Sequence, residues 1–353
     1  MFTASSRVFP MCCNAEILKV AVVGAGYWGP NLVRCFSGHE HTSCEYLCDL
    51  DLEAAARVAR RFPGVRTTSD FDAVLNDPNV DAVAIATPVS THFDLTSRAL
   101  RAGKHTLVEK PLSLTGNEGE RLVSLAAEQD LRLMCDHTFC YTAVVRRMQE
   151  IVSQGELGDI LYFDSVRVNL GLFQSDINVL WDLCPHDLSI IDFVLPEDMK
   201  PVAVAAQGID AANTGFESVA HLTLHFEKPM MAHIHANWLA PVKVRTMLLG
   251  GTRKMLVWDD TNPAERLKIY DKGINVSSED REKLLVSYRH GEARIPVLDN
   301  SEALMNMVGE FASSISEQRA PLTDGHAGLR VLRSLEAADK SLTQGGLQIK
   351  LST

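Results

Sequence analysis

The stretch "LKVAVVGAGYWGPNLVR", residues 18–34, decides the fold. An apolar run is followed by Gly24, Gly26 and Gly29 at the spacing G-x-G-x-x-G, and then by a segment with helical periodicity. Each glycine costs backbone entropy, so this spacing indicates a tight turn and a close approach to the backbone. A strand, this turn and a helix in that order are typical of dinucleotide-binding units, where a pyrophosphate lies at the helix N-terminus.

The bulk composition limits the classes of function. A chain of 353 residues with 46% hydrophobic and 22% charged residues is typical of a globular protein with room for two domains. The net charge of -11 argues against nucleic acid and anionic membranes as partners. Its eight cysteines form no paired CxxC units, and no apolar stretch reaches the length of a membrane span. We therefore expect a cytoplasmic protein, with residues 1–17 as a flexible leader.

The pattern along the chain predicts two domains. Apolar runs alternate with amphipathic segments up to residue 138, which predicts an α/β Rossmann domain, residues 18–138, with a doubly wound parallel sheet. Longer strand-like segments follow, separated by turn residues. They predict an α+β domain, residues 139–353, for substrate binding and oligomerisation, with an open, mostly antiparallel sheet. The exposed face of such a sheet needs a cover, so we expect a homodimer or homotetramer formed through it.

An acidic residue follows the glycines at the distance expected for ribose binding. Asp49 ends the next predicted strand, about 20 residues beyond Gly29, where a carboxylate accepts hydrogen bonds from ribose hydroxyls. A carboxylate repels a 2′-phosphate, so NAD is favoured over NADP; taken alone, Asp49 could equally cap the next helix. The predicted cofactor contacts are Gly24, Gly26, Tyr27, Trp28, Gly29, Asp49, Thr87, Pro88, His92, Glu109 and Lys110.

Two later stretches carry groups suited to proton transfer. "HTLVEKPLSLT", residues 105–115, ends a predicted strand with Lys110, and "LWDLCPHDLSIIDFV", residues 180–194, places Asp182 four residues before His186. If Pro185 lies in the first turn of a helix, Asp182 lies at or just before its start and His186 projects from the first turn. Taken singly, Lys110 could also be a surface lysine, Asp182 a helix cap and His186 a surface histidine.

Four motifs in order resemble one family of enzymes: "VVGAGYWG" (22–29), "AIATPVSTH" (84–92), "GKHTLVEKPLSLT" (103–115) and "LWDLCPHDLSIIDFVL" (180–195). The chain resembles the Gfo/Idh/MocA oxidoreductases over essentially residues 18–350, and most of all the bacterial nucleotide-sugar 3-dehydrogenases of the UDP-N-acetyl-hexosamine and hexosaminuronate type. The resemblance implies that Lys110 and His186 are catalytic, with Asp182 beside them. Asp136 stands where many members of the family have glycine.

The resulting expectation is an NAD-dependent oxidation of a secondary alcohol, at the C3 hydroxyl of a nucleotide-linked or phosphorylated amino sugar. His186 is the expected base, because an imidazole titrates near neutral pH, while Lys110 stabilises the developing alkoxide. Lys110 could itself be the base, and the sequence leaves this open. The predicted substrate contacts are Lys110, Tyr141, Arg167, Asn169, Asn178, Asp182 and His186.

Other functions stay open at this point. One is an inositol, polyol or aminoglycoside dehydrogenase of the same family, and another is a glycosidase that uses NAD without net reduction. A non-catalytic dinucleotide sensor is disfavoured, because it would not need Lys110, Asp182 and His186 together. The remaining histidines are interpreted as structural or subunit contacts, and no metal is predicted; they are His221, His225, His233 and His235.

Overall fold

The computed structural model describes residues 17–171, 174, 177–275 and 287–351. The predicted leader, residues 1–17, lies outside this part of the chain apart from Ile17. No helix of the described residues is both long enough and apolar enough to cross a membrane.

The first sheet has six parallel strands in the order β3-β2-β1-β4-β5-β6. Its strands are β1 (Leu18–Val23), β2 (Thr42–Cys48), β3 (Arg66–Thr68), β4 (Ala82–Ile85), β5 (His105–Val108) and β6 (Leu133–Cys135). Its connecting helices are α1 (Gly29–Gly38), α2 (Leu52–Ala59), α3 (Phe71–Asn76), α4 (His92–Arg101) and α5 (Gly116–Glu128), with one 3₁₀ turn at Val89–Thr91. The strand order reverses beside β1, which opens a crevice at the carboxyl ends of the strands. The predicted Rossmann sheet is confirmed.

The second sheet has nine described strands in the order β14-β13-β12-β11-β7-β10-β9-β8-β15. They are β7 (Ile160–Leu170), β8 (Pro201–Ile209), β9 (Val219–Phe226), β10 (Met231–Asn237), β11 (Leu239–Gly251), β12 (Met255–Asp259), β13 (Leu267–Asn275), β14 (Ser287–Arg294) and β15 (Ile349–Lys350). Strands β7 and β10 run parallel, whereas the other neighbouring pairs are antiparallel. The predicted open, mostly antiparallel sheet is confirmed.

Helices cover one face of this second sheet and also reach the first. They are α6 (Ala143–Ser153), α7 (Val179–Val194), α8 (Ala303–Ser316) and α9 (Gly325–Thr343), preceded by a 3₁₀ turn at Thr138–Tyr141. Helix α8 packs on the first sheet, where Phe311 meets Phe36 edge to face with ring centres 6.5 Å apart. Helix α9 packs against α5, α7 and β8. The chain after residue 139 therefore contributes to both cores, and the boundary at 138/139 stays a prediction.

The other face of the second sheet carries stacked imidazoles. The His221 ring lies 4.3 Å from that of His235 and 5.3 Å from that of His233, with nearly parallel planes. Within the described residues, no group of three or more histidine, cysteine or acidic side chains is arranged to hold a metal ion.

The glycine turn shows why three glycines are needed. Gly24 has φ +104°, and a Cβ there would lie 2.3 Å from the carbonyl oxygen of Ala86. A Cβ on Gly29 would lie 1.8 Å from the carbonyl oxygen of Gly24, whereas a Cβ on Gly26 would meet nothing within 4 Å. Gly24 and Gly29 therefore serve the packing of the turn, and Gly26 leaves an open space above the backbone.

Substitution of these glycines separates the two roles. Gly29→Ala should lower the free energy of unfolding by about 1–3 kcal/mol or more, because the new methyl group overlaps the turn that it packs against. Gly26→Ala is the matched control and should stay within about 0.5 kcal/mol of wild type, because its methyl group meets open space. Urea unfolding of the apo protein measures both, and equal stability of the two variants would contradict this account of the turn.

Candidate active site

Asp49 lies directly beside the glycine turn. Its Oδ2 accepts a hydrogen bond from the Ala25 N–H at 2.6 Å, and its Oδ1 accepts one from the Asp51 N–H at 2.7 Å. The N-cap of α2 is Asp51, whose side chain accepts from the Glu53 and Ala54 N–H groups. Asp49 is therefore not the helix cap, and its carboxylate lies at the edge of the crevice.

The entrance to the turn is open and partly aromatic. Tyr27 is 85% exposed and Trp28 is 43% exposed, and their rings meet edge to face 5.3 Å apart. Trp28 is the N-cap of α1 and makes no side-chain capping bond, while Pro30 occupies the first turn. The N-terminus of α1 is thus free of a capping side chain on the side of the open space at Gly26.

These features fit a dinucleotide. A pyrophosphate needs a helix N-terminus and a backbone that it can approach, which α1 and Gly26 offer. A ribose needs an acceptor at the end of β2, which Asp49 offers. The described residues would therefore hold NAD along the crevice.

His92 holds two crevice loops together. Its Nδ1 lies 2.8 Å from the carbonyl oxygen of Pro111, and its Nε2 lies 2.9 Å from that of Thr87. The side chain is 1% exposed. Because both ring nitrogens already face carbonyl oxygens, His92 shapes the crevice and has no nitrogen left for a cofactor. Thr87 bonds through its hydroxyl to that of Thr91 at 2.7 Å.

Lys110 reaches α7 across the junction of the two sheets. Its Nζ donates to the carbonyl oxygen of Asp182 at 3.2 Å, and the Asp182 carboxylate accepts from the indole N–H of Trp238 at 2.9 Å. The residues that sequence reasoning singled out for proton transfer thus lie together at the carboxyl edge of the first sheet, with His186 one helical turn beyond Asp182.

Helix α7 begins earlier than its proline predicted. Asn178 is the N-cap, because its Oδ1 accepts from the Leu180 and Trp181 N–H groups at 3.1 and 3.2 Å. Pro185 therefore lies inside the helix and not in its first turn. Asp182 does lie in the first turn of the helix, whereas the placement of His186 in the first turn was wrong, because the N-cap at Asn178 starts the helix earlier.

His186 is held as a neutral imidazole. Its Nδ1 is shielded from solvent and has no hydrogen-bond partner, and its ring lies edge to face on Phe139 with centres 4.9 Å apart. Burial lowers the pKa of His186 well below its usual value, and the cationic Lys110 and Arg167 lower it further. A neutral imidazole can accept a proton, which is what a general base requires.

Arg167 is not placed as a substrate contact. Its Nε and Nη2 donate to the two carboxylate oxygens of Asp187 at 2.8 and 3.2 Å, and Ser165 donates to the same carboxylate at 2.7 Å. Arg167 is 4% exposed and Asp187 is fully buried. The guanidinium also lies over the Phe139 ring at 4.9 Å, so this ion pair supports the ring against which His186 packs.

Two other predicted substrate contacts are occupied within the protein. The buried Tyr141 hydroxyl bonds to that of Thr323 at 2.9 Å. Asn178 caps α7 with its oxygen and donates its amide to Asp339 at 2.9 Å. Asn169 is half-buried, and its role as a substrate contact stays a prediction.

Two buried residues lie after β6; sequence reasoning noted Asp136 only as a departure from the family pattern and did not single out His137. Asp136 is 4% exposed and lies beside Glu109, and His137 is 2% exposed with both ring nitrogens unpartnered. Burial lowers the pKa of His137 to about 4, with Lys110 adding to the effect against Asp192. The available signal was their position at the carboxyl end of a Rossmann strand, where polar residues line the crevice.

The neutral state of His137 predicts a loss of stability in acid. The unfolded imidazole, with a pKa of 6.5, binds a proton between about pH 6.5 and 4, whereas the folded one stays neutral. Stability therefore falls as the pH drops through this window, by about 2 kcal/mol at pH 5 for one such group. His137→Phe should lose correspondingly less stability between pH 7.5 and 5, measured by urea unfolding of the apo protein at both pH values.

A matched control uses a histidine on the surface. The exposed His326→Gln variant should keep the acid sensitivity of wild type. If His137→Phe and His326→Gln respond equally to pH, the acid loss does not come from His137.

The two halves of the chain match two models of one family. Residues 18–137 match the oxidoreductase family model with an NAD-binding Rossmann fold, and residues 145–257 match the GFO/IDH/MocA C-terminal domain. Together these models cover most of both sheets.

Characterised proteins agree with this assignment. The chain is 28% identical over 337 residues to the UDP-N-acetylglucosamine 3-dehydrogenase of Acidithiobacillus ferrooxidans, covering 89% of this chain and 94% of that one. A solved structure of that enzyme superposes with a TM-score of 0.77 at 26% identity, over 93% of this chain and 98% of the other.

Two further relatives widen the comparison. The scyllo-inositol 2-dehydrogenase (NADP(+)) of Bacillus subtilis is 25% identical over 80% of this chain and 83% of its own. The structure of GenD2 from gentamicin A biosynthesis, in complex with NAD, is 22% identical with a TM-score of 0.80, over 98% of this chain and 100% of that one. The chain therefore belongs to the Gfo/Idh/MocA family and is an NAD-binding oxidoreductase.

Proposed function

We propose that this enzyme oxidises a secondary alcohol, the C3 hydroxyl of a nucleotide-linked or phosphorylated amino sugar, to a ketone with NAD. The observation that carries the proposal is the meeting of Lys110 with Asp182 at the crevice, with the neutral His186 one turn away. The substrate class rests on the 3-dehydrogenase relative, which matches over most of both chains.

The chain's own residues divide the work of the oxidation. NAD, when bound, supplies the hydride acceptor. His186 accepts the proton of the substrate hydroxyl, because its imidazole is neutral. Lys110 donates a hydrogen bond to the same oxygen and stabilises the charge that develops there. The Asp182 carboxylate, fixed by Trp238, orients a neighbouring hydroxyl of the sugar.

The experiment that tests the function is a substrate panel. UDP-, dTDP- and phospho-sugars with and without an N-acetyl group are incubated with NAD⁺ and with NADP⁺, and reduced cofactor is followed by absorbance. We expect reduction of NAD⁺ with an N-acetylated nucleotide sugar and a 3-keto product. Activity with inositols only would favour the polyol alternative, which the inositol dehydrogenase relative supports. Cleavage of a glycoside without accumulation of NADH would favour the glycosidase.

Removal of either proposed catalytic side chain should slow turnover without loss of the cofactor. Lys110→Ala and His186→Ala should each lower kcat at least ~100-fold, because each loses an interaction made in the transition state. NAD binding, followed by protein fluorescence, should stay close to wild type, because the glycine turn and Asp49 are unchanged.

The control variants change the same residue types at the surface. Lys228→Ala and His326→Ala lie on exposed side chains and should turn over like wild type. Near-normal kcat in both Lys110→Ala and His186→Ala would overturn the assigned roles.

We also propose that a second copy covers the outer face of the second sheet, as a homodimer or as part of a homotetramer. The stacked histidines and the 51% exposed Met231 lie on strands β9 and β10 of this sheet. A monomer mass in solution by light scattering would contradict this assembly.

The described cysteines are free and buried, which suits the reducing cytoplasm that we propose as the compartment.

A further inference from the structure

Two carboxyl side chains meet at the carboxyl ends of β5 and β6. Val108 and Cys135 are partners in the parallel register of these strands, so the next residues, Glu109 and Asp136, follow side by side. The Asp136 N–H donates to the carbonyl oxygen of Val108 at 2.7 Å, which extends the ladder to this position. Residues in register on neighbouring strands present their side chains on the same face of the sheet. The register of the strands therefore makes the two carboxyl side chains neighbours on one face of the sheet.

Both carboxyls are shut away from solvent. Glu109 is 7% exposed and Asp136 is 4% exposed. The Asp136 Oδ1 accepts from the Thr138 N–H at 3.0 Å and from the Thr138 hydroxyl. Two neighbouring carboxylates removed from water repel each other and lose the solvation of their charges, so a proton on one of the two is favoured.

The site favours one shared proton. Burial raises the pKa of Glu109 well above its usual value, and the Asp136 charge raises it further. Burial also raises the pKa of Asp136, against the hydrogen bonds from Thr138 and Glu109 that lower it. Glu109 is accordingly the acid that holds the proton, and Asp136 is the acceptor with a full set of donors. The other Glu109 oxygen, Oε1, has no partner.

The surrounding groups leave Lys110 as the counter-charge. Lys110 interacts electrostatically with both carboxyls. The cysteine and tyrosine side chains that interact with the pair are neutral at pH 7, because burial raises the pKa of each. They are Cys35 in α1, Cys135 at the end of β6, and Cys140 and Tyr141 in the following 3₁₀ turn. Among the described residues, a negative charge on the pair thus acts on Lys110.

We propose that Glu109 and Asp136 share a single proton, so that the two buried carboxyls carry one negative charge between them at the carboxyl edge of the first sheet. The inference concerns the pair itself and is independent of the proposed function.

The shared proton is tested by infrared spectroscopy of the apo protein. At about pH 8, ordinary carboxyl groups with pKa values near 4 are ionised. Wild type should still show the carbonyl stretch of a protonated carboxylic acid, and the double variant Glu109→Gln/Asp136→Asn should lack it. A wild-type spectrum without this band overturns the proposal, whether or not the double variant folds.

The outcome of this measurement is separate from that of the substrate panel. The infrared measurement needs no substrate, so a failed sugar panel together with the expected band would reject the proposed function and leave the shared proton standing.

Discussion

The contact between the Lys110 amine and the carbonyl oxygen of Asp182 joins the two halves of the site. Lys110 follows β5, whose backbone is fixed by parallel ladders on both sides. Asp182 belongs to α7, whose apolar side is part of the core of the second sheet. Lys110 lies two residues beyond the end of a core strand and Asp182 lies on a core helix, so core packing positions both groups closely, as a catalytic site requires. The position of His186 is fixed in the same way, because His186 lies one turn along the same helix as Asp182.

Buried charge is arranged in two ways around this contact. The Arg167–Asp187 pair is bidentate and further bonded by Ser165, so its desolvation is offset by complete hydrogen bonding. The carboxyls of Glu109 and Asp136 instead reduce their charge by sharing a proton, and one oxygen keeps no partner. Unpaired polar atoms are costly in a core, and they occur here beside the proposed reaction centre. Functional sites are the places where a protein is expected to violate the general rule that buried polar atoms are hydrogen-bonded.

The sequence was sufficient for the fold and for the residues that meet at the crevice, because both follow from local pattern. Strand alternation predicted both sheets, and the strand end at Lys110 predicted its place at the crevice. It was insufficient for polar side chains whose partners are distant in the chain. Asn178 and Asp339 are 161 residues apart, and nothing near Asn178 reveals that its amide is already used. Arg167 was predicted to be a substrate contact for the same reason, since its partner Asp187 lies on another element. The start of α7 was predicted too late, because the preference of Pro185 for the first turn of a helix was given more weight than the preference of Asn178 for the N-cap.

The division of labour between the two proposed catalytic groups follows from their surroundings. His186 is desolvated next to cations, which favours its neutral form, whereas the partly exposed Lys110 amine donates a hydrogen bond to the carbonyl oxygen of Asp182. A neutral imidazole suits the role of the base, and a hydrogen-bond donor suits the role of stabilising the alkoxide. Asp136 adds its carboxyl at the end of β6, beside the end of the strand that precedes Glu109 and Lys110. A single position at the end of β6 therefore brings a further ionisable group to the edge of the sheet where the proposed catalytic residues meet.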